Sequence, residues 1–176
     1  SNSLKTVKNL PNKDISLIPD NNLGRYTAEQ IPEKHFIFND GFCHVHKRIH
    51  KEELLKAKEA KPEAVVVAHP ECTPDVLEEA DYIGSTSQII DYVTESDKKE
   101  FIVCTEIGVF YELEQKNPEK KFYSVGHRQF CPNMKRISLE GVAQALETLE
   151  PEVELPEDLR VKAELPLKRM LEYAQK

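Results

Sequence analysis

Short apolar runs rich in β-branched and aromatic residues alternate along the chain with stretches of helical period. Asp14 to Pro19 reads as a strand closed by proline, and His35 to Phe38 as a second. Ala64 to Ala68 is an unbroken run of the kind buried on both faces of a parallel sheet. Asp81 to Gly84, Phe101 to Cys104 and Phe122 to Val125 are three more strands. Helical stretches are predicted over Leu4–Asn9, Leu23–Gln30, Lys51–Ala60, Pro74–Ala80, Ser85–Val93 and Gly108–Gln115. Thr73 and Pro74 supply an N-cap and a proline at the first helical position. Ser138 opens a longer helix with Val142, Leu146 and Leu149 on one face, and Pro156 to Gln175 forms a last one.

Strands alternating with helices specify an α/β fold with parallel sheets. In such folds ligands sit beyond the carboxyl ends of the strands. The segments there are Pro19 to Arg25, Asp40 to His46, His69 to Cys72, Gly84 to Ser87, Thr105 to Gly108 and Phe130 to Lys135. All are rich in small, polar or titratable residues. Each has a plainer reading, since Asp20, Asn21 and Thr105 would also serve as helix caps.

Composition narrows the function classes. The 176 residues suffice for one ordinary domain or two small ones. Charged residues make up 31% and hydrophobic residues 39%. No apolar run reaches the roughly 18 residues that a membrane helix needs. The start, Ser1-Asn2-Ser3-Leu4-Lys5, has no apolar signal core, so a cytoplasmic location is expected. It also lacks an initiating Met, the first hint of a piece of something longer. Net charge is −7, and the short basic clusters (His46-Lys47-Arg48, Lys120-Lys121, Lys135-Arg136) are diluted by Glu, so no nucleic-acid partner is expected.

Four cysteines, at 43, 72, 104 and 131, are widely spaced and form no CxxC pair. In a reducing compartment they are core residues, metal ligands or nucleophiles. A free cysteine is most often a small buried hydrophobe.

The ordered set GFCxxH (41–46), HPEC (69–72), GSTSQ (84–88), TEIG (105–108) and CPNMK (131–135) resembles the quinolinate synthases, iron–sulfur enzymes of NAD biosynthesis. The PDNNLGRY stretch (19–26) is similar to that family too, and the likeness runs from Ser1 to about Tyr173. The resemblance implies repeated three-layer αβα domains with short parallel sheets around a pseudo-threefold axis. Residues 1–48 would be a truncated second domain, 49–131 the third, and 132–176 a C-terminal helical extension, with the family's first domain missing. It implies a transferase that condenses iminoaspartate with dihydroxyacetone phosphate to quinolinate. The cofactor would be a 4Fe-4S cluster held by three cysteines, with one open iron acting as Lewis acid. Association with an aspartate-oxidising enzyme is a further expectation.

On that resemblance Cys43 and Cys131 are metal ligands, and the third ligand lies upstream of Ser1. The chain alone is then expected to be inactive. His69 and Glu71 are the catalytic pair, because imidazole and carboxylate suit proton transfer near neutral pH. Ser85 and Thr86, opening a helix, bind substrate carboxylate or phosphate, and Met134, packed near the cluster, is placed with them as a substrate-binding residue. Cys72 is read as a bystander and Cys104 as core. His46 is read as a supporting group rather than a ligand, and His44, His50 and His127 as solvated. Two alternatives stand beside this. One is a small-anion-binding α/β module without turnover. The other is a generic α/β domain whose cysteines are all structural.

Overall fold

The computed structural model describes residues 3–175. Residues 12–130 form one compact unit, and residues 3–11 with Cys131 to Gln175 form a second.

In the first unit every strand pair is parallel, in two separate sheets. Strands β1 (Asp14–Leu17) and β2 (His35–Phe38) pair through helix α2 (Asn21–Gln30). The larger sheet has the order β4-β3-β5-β6, with β3 at Val65–Ala68, β4 at Tyr82–Ile83, β5 at Glu100–Cys104 and β6 at Lys121–Ser124.

Helices α3 (Lys51–Ala60), α4 (Pro74–Leu77), α5 (Thr86–Glu95) and α6 (Val109–Lys116) cover its two faces. The pleat of the strands decides which helices go where. Val66, Ala68, Ile102 and Cys104 point to one face and pack with Leu54, Ala57, Val76 and Leu77 from α3 and α4. Val65, Val67, Phe101 and Val103 point to the other and pack with Ile89, Ile90, Val93, Val109 and Leu113 from α5 and α6. The expected α/β architecture with short parallel strands is present, and this sheet is its αβα sandwich.

Most element boundaries agree with the pattern to within two residues. The strand at 81–84 shortens to Tyr82–Ile83, and the helix at 74–80 to Pro74–Leu77. Thr73 is at the N-cap position of α4, but its side chain makes no capping hydrogen bond. Asp81 shows why the segment turns early: its backbone N–H donates to Val66 O, and its carboxylate accepts from Val66 N at 2.8 Å.

The second unit contains α1 (Ser3–Asn9), α7 (Leu139–Thr148) and α8 (Glu157–Gln175), with Pro166 inside α8. Asn9 Nδ2 donates to Tyr173 O at 2.7 Å, fastening α1 to α8. Ser138 caps α7, its hydroxyl accepting from Gly141 N. The predicted stripe of Val142, Leu146 and Leu149 lies exposed. No helix among the described residues is long and apolar enough to cross a membrane.

Candidate active site

The order β4-β3-β5-β6 contains a switch point. From β3 the chain passes over one face through α4 to β4; from β5 it passes over the other face through α6 to β6. The connections leaving β3 and β5 therefore diverge to opposite faces of the sheet, the arrangement that forms the ligand crevice of open α/β sheets. His69 and Thr105 are the first residues past those two strands. His69 N donates to Cys104 O at 3.1 Å, holding the two ends in register.

Three loops converge at this crevice. The 69–72 loop is a tight turn, with Cys72 N donating to His69 O at 2.9 Å. Asn22 Nδ2 donates to Glu71 O at 3.1 Å, tying the loop to α2. The Cys43 loop is held by the buried Asp20. One Asp20 oxygen caps α2 by accepting from Leu23 N at 2.9 Å, and the other accepts from Cys43 N at 2.7 Å. Gly41 is required here, because a Cβ at that position would lie 2.2 Å from Pro19 O.

His46 is the hub. It is 6% exposed, and both ring nitrogens are engaged. Nδ1 lies 3.0 Å from Glu71 Oε2, and Nε2 lies 3.0 Å from Thr105 Oγ1. Its ring stacks on His69 at 4.5 Å between centroids and 7° between planes. Ligand atoms of Cys43, His46 and Glu71 all fall within 4.8 Å of one another.

The environment sets the charge states. The hydrogen bond from His46 holds the Glu71 carboxyl below its usual range; burial opposes this, and His69 and the Cys43 thiol assist it. Burial, then the neighbouring His46, lowers the His69 pKa to about 4. His69 is therefore neutral at pH 7. Its Nδ1 accepts from Glu71 N at 3.3 Å, which leaves Nε2 to carry the proton as a donor. Glu71, held as an anion, thus faces one ring nitrogen of His46, and the Thr105 hydroxyl faces the other.

The four cysteines divide by environment. Cys43 and Cys131 are half-buried, whereas Cys72 and Cys104 are fully buried. Burial pushes the Cys104 thiol up to about 12 and raises Cys72 well above its ordinary value. Cys72 spends its proton on Cys104 O at 3.3 Å. Neither buried thiol suits a metal that needs thiolate, whereas Cys43 and Cys131 remain candidates.

Ser85 and Thr86 lie past β4, at the start of α5. Ser85 forms a capping box, its hydroxyl accepting from Gln88 N and its N–H donating to Gln88 Oε1. Gly84 before it is packed too tightly for a side chain: a Cβ would lie 2.8 Å from the Tyr82 ring. Cys131 and Met134 belong to the second unit, where Met134 is 60% exposed. Of the expected site residues, the structure brings Cys43, His69 and Glu71 together directly. His50 and His127 are exposed as expected, but His44 is half-buried.

Sequence reasoning underrated His46 and Thr105. Thr105 does not cap α6, which has Gly108 at its N-cap position. A signal for His46 was present as an internal repeat. Phe42-Cys43-His44-Val45-His46-Lys47-Arg48-Ile49 matches Phe130-Cys131-Pro132-Asn133-Met134-Lys135-Arg136-Ile137, and PEKHF at 32–36 matches PEKKF at 118–122. Both cysteine loops make the same turn, with Lys47 N donating to Cys43 O at 3.0 Å and Lys135 N to Cys131 O at 3.3 Å. His46 and Met134 occupy the same position in the repeat.

Comparison with known proteins agrees with the resemblance. The family described as quinolinate synthetase A protein matches residues 1–172. A quinolinate synthase of Caldicellulosiruptor saccharolyticus is 49% identical over 99% of this chain and 57% of its own length. That of Alkaliphilus metalliredigens is 45% identical over 98% and 57%, and that of Clostridioides difficile 42% over 99% and 58%. The chain thus spans a little under three fifths of the length of these relatives.

Proposed function

The chain belongs to the quinolinate synthetase A family, and from that premise we propose that it carries part of the active site of a quinolinate synthase of NAD biosynthesis. The reaction is the condensation of iminoaspartate with dihydroxyacetone phosphate to quinolinate, in the cytoplasm, alongside an enzyme that oxidises aspartate. The observation that carries the reading is the convergence of Cys43, His69 and Glu71 at the switch-point crevice.

Cys43 and Cys131 are the ligands this chain offers to a 4Fe-4S cluster. Both are half-buried thiols, each preceded by a half-exposed phenylalanine, a partly apolar setting that suits such a cluster. Cys72 and Cys104 do not fit as the third ligand, being buried and held protonated. That ligand lies outside the chain, and residues 1–48 and 49–131 are a partial second and a third αβα domain, with 132–176 as extension. The 176 residues alone do not turn over.

When bound, a cluster with one open iron supplies a Lewis acid for dehydration. The chain's own residues move protons and orient the substrate. Glu71, held ionised by His46, accepts a proton from bound substrate. His69, neutral with its proton on Nε2, donates a hydrogen bond to a substrate oxygen. The N–H groups of the first turn of α5, with the Thr86 hydroxyl, receive carboxylate or phosphate; Ser85 shapes that turn and Met134 packs near the cluster.

The test uses a polypeptide of the relatives' full length that contains this chain, assayed for quinolinate. Glu71→Gln is expected to lower kcat by about 100-fold or more, in line with loss of a general base. Unchanged kcat in that variant would remove Glu71 from the mechanism.

A further inference from the structure

We infer that Arg25 and Lys47, with Asn21, Asn22 and Thr73, form a binding site for one phosphate-class oxyanion, outside the crevice that holds His69 and Glu71. The inference rests on geometry and does not depend on the proposed reaction.

A cavity of about 170 Å3 lies between the first turns of α2, the loop that carries Phe42, and Thr73. Pockets for drug-sized ligands measure roughly 300–1,000 Å3. A water takes about 30 Å3 of liquid, so this cavity has room for a small ion with a few waters and none for a nucleotide.

The lining is supplied with donors that the chain itself leaves unused. Arg25 gives only its Nε, to Asn21 Oδ1 at 2.7 Å. Its remaining N–H groups are uncommitted, and a guanidinium edge of that kind meets two oxygens of one oxyanion at once. Lys47 adds an ammonium point charge. Neither cation forms an ion pair with any described residue. Aromatic rings hold them instead: Arg25 lies 5.2 Å over Phe38, and Lys47 Nζ 3.6 Å over Phe42. A ring face steadies a cation without neutralising it.

The neutral donors agree. Asn22 spends one amide proton on Glu71 O and keeps the other. Thr73, whose hydroxyl does not cap α4, lines the same cavity. Asp40 is the carboxylate at the rim, so two positive charges face one negative. The end of α2 is not what attracts the anion, because Asp20 already caps it. The site also touches both loops of the crevice. Lys47 N closes the Cys43 turn, and Asn22 holds the Glu71 loop. An anion gripped by Lys47 and Asn22 therefore ties those two loops together.

The test titrates inorganic phosphate into the 15N-labelled 176-residue chain at pH 7 and constant ionic strength. Saturable shifts are expected at Asn21, Asn22, Lys47 and the Arg25 side chain. Glycerol phosphate presents the same head group and should saturate the same resonances; the tighter binder of the two identifies the source. Arg25→Gln and Lys47→Gln, both surface changes, should each weaken binding about 10-fold or more, the worth of a charge-assisted hydrogen bond. Lys47→Arg should keep it. Thr86→Val, at the anion site of the proposed reaction, should leave these shifts unchanged, so failure of one site is distinguishable from failure of the other. Shifts that grow linearly without saturation, or that saturate only at residues 84–88, overturn the proposal. So does undiminished binding in the Arg25→Gln, Lys47→Gln double variant.

Discussion

His69 illustrates how burial at one residue writes itself into the behaviour of the chain. Folded, it titrates at about 4; unfolded, at its ordinary value of 6.5. Between those values the unfolded chain binds more protons, so stability rises with pH there and falls as pH drops from 6.5 toward 4. Glu71 acts in the same direction at a lower pH, because its depressed carboxyl stabilises the fold only while ionised. Urea midpoints measured across this window should decline with acidity, and His69→Gln should flatten the upper part of the decline. A midpoint unchanged from pH 7 to 4.5 would contradict the burial of a neutral His69. The cysteines make a second prediction at this scale. Iodoacetamide at neutral pH should label Cys43 and Cys131 in the folded chain and spare Cys72 and Cys104, as peptide mass mapping would show. Equal labelling of all four would deny the separation into candidate ligands and core.

At the scale of elements, the site depends on loops held by backbone hydrogen bonds. Asp20 is the clearest case, since one carboxylate closes the start of α2 and fixes the Cys43 loop. Asp20→Ala removes both bonds and should cost about 1–3 kcal/mol by urea unfolding, a cap plus a buried N–H left unpaired. A loss below about 0.5 kcal/mol would mean that water replaces the carboxylate at both donors. Gln129 plays a matching part before Cys131. Its side-chain amide donates to Val103 O at 2.7 Å and to Thr105 O, joining the 125–130 loop to the end of β5. The strands and most helices were legible in the sequence because apolar period and capping residues are local signals. Asp20 was legible only as a cap, since its second bond spans 23 residues. His46 and Thr105, 59 residues apart, meet because the loop after β2 reaches the carboxyl end of β5. No local pattern encodes that meeting. The internal repeat, however, marked both cysteine loops and their fourth positions.

At the scale of the whole molecule, the larger sheet divides its core between two faces and its chemistry between two strand ends. The switch between β3 and β5 sets His69, Glu71 and Thr105 at one crevice, which His46 reaches from the loop after β2, while Ser85 and Thr86 follow the neighbouring β4. The most direct measurement is anaerobic cluster reconstitution in a polypeptide of the relatives' full length, with iron and sulfide counted in four single variants. The account predicts that Cys72→Ala and Cys104→Ala retain a full cluster, whereas Cys43→Ala and Cys131→Ala each lose it. A full cluster in Cys43→Ala would contradict it.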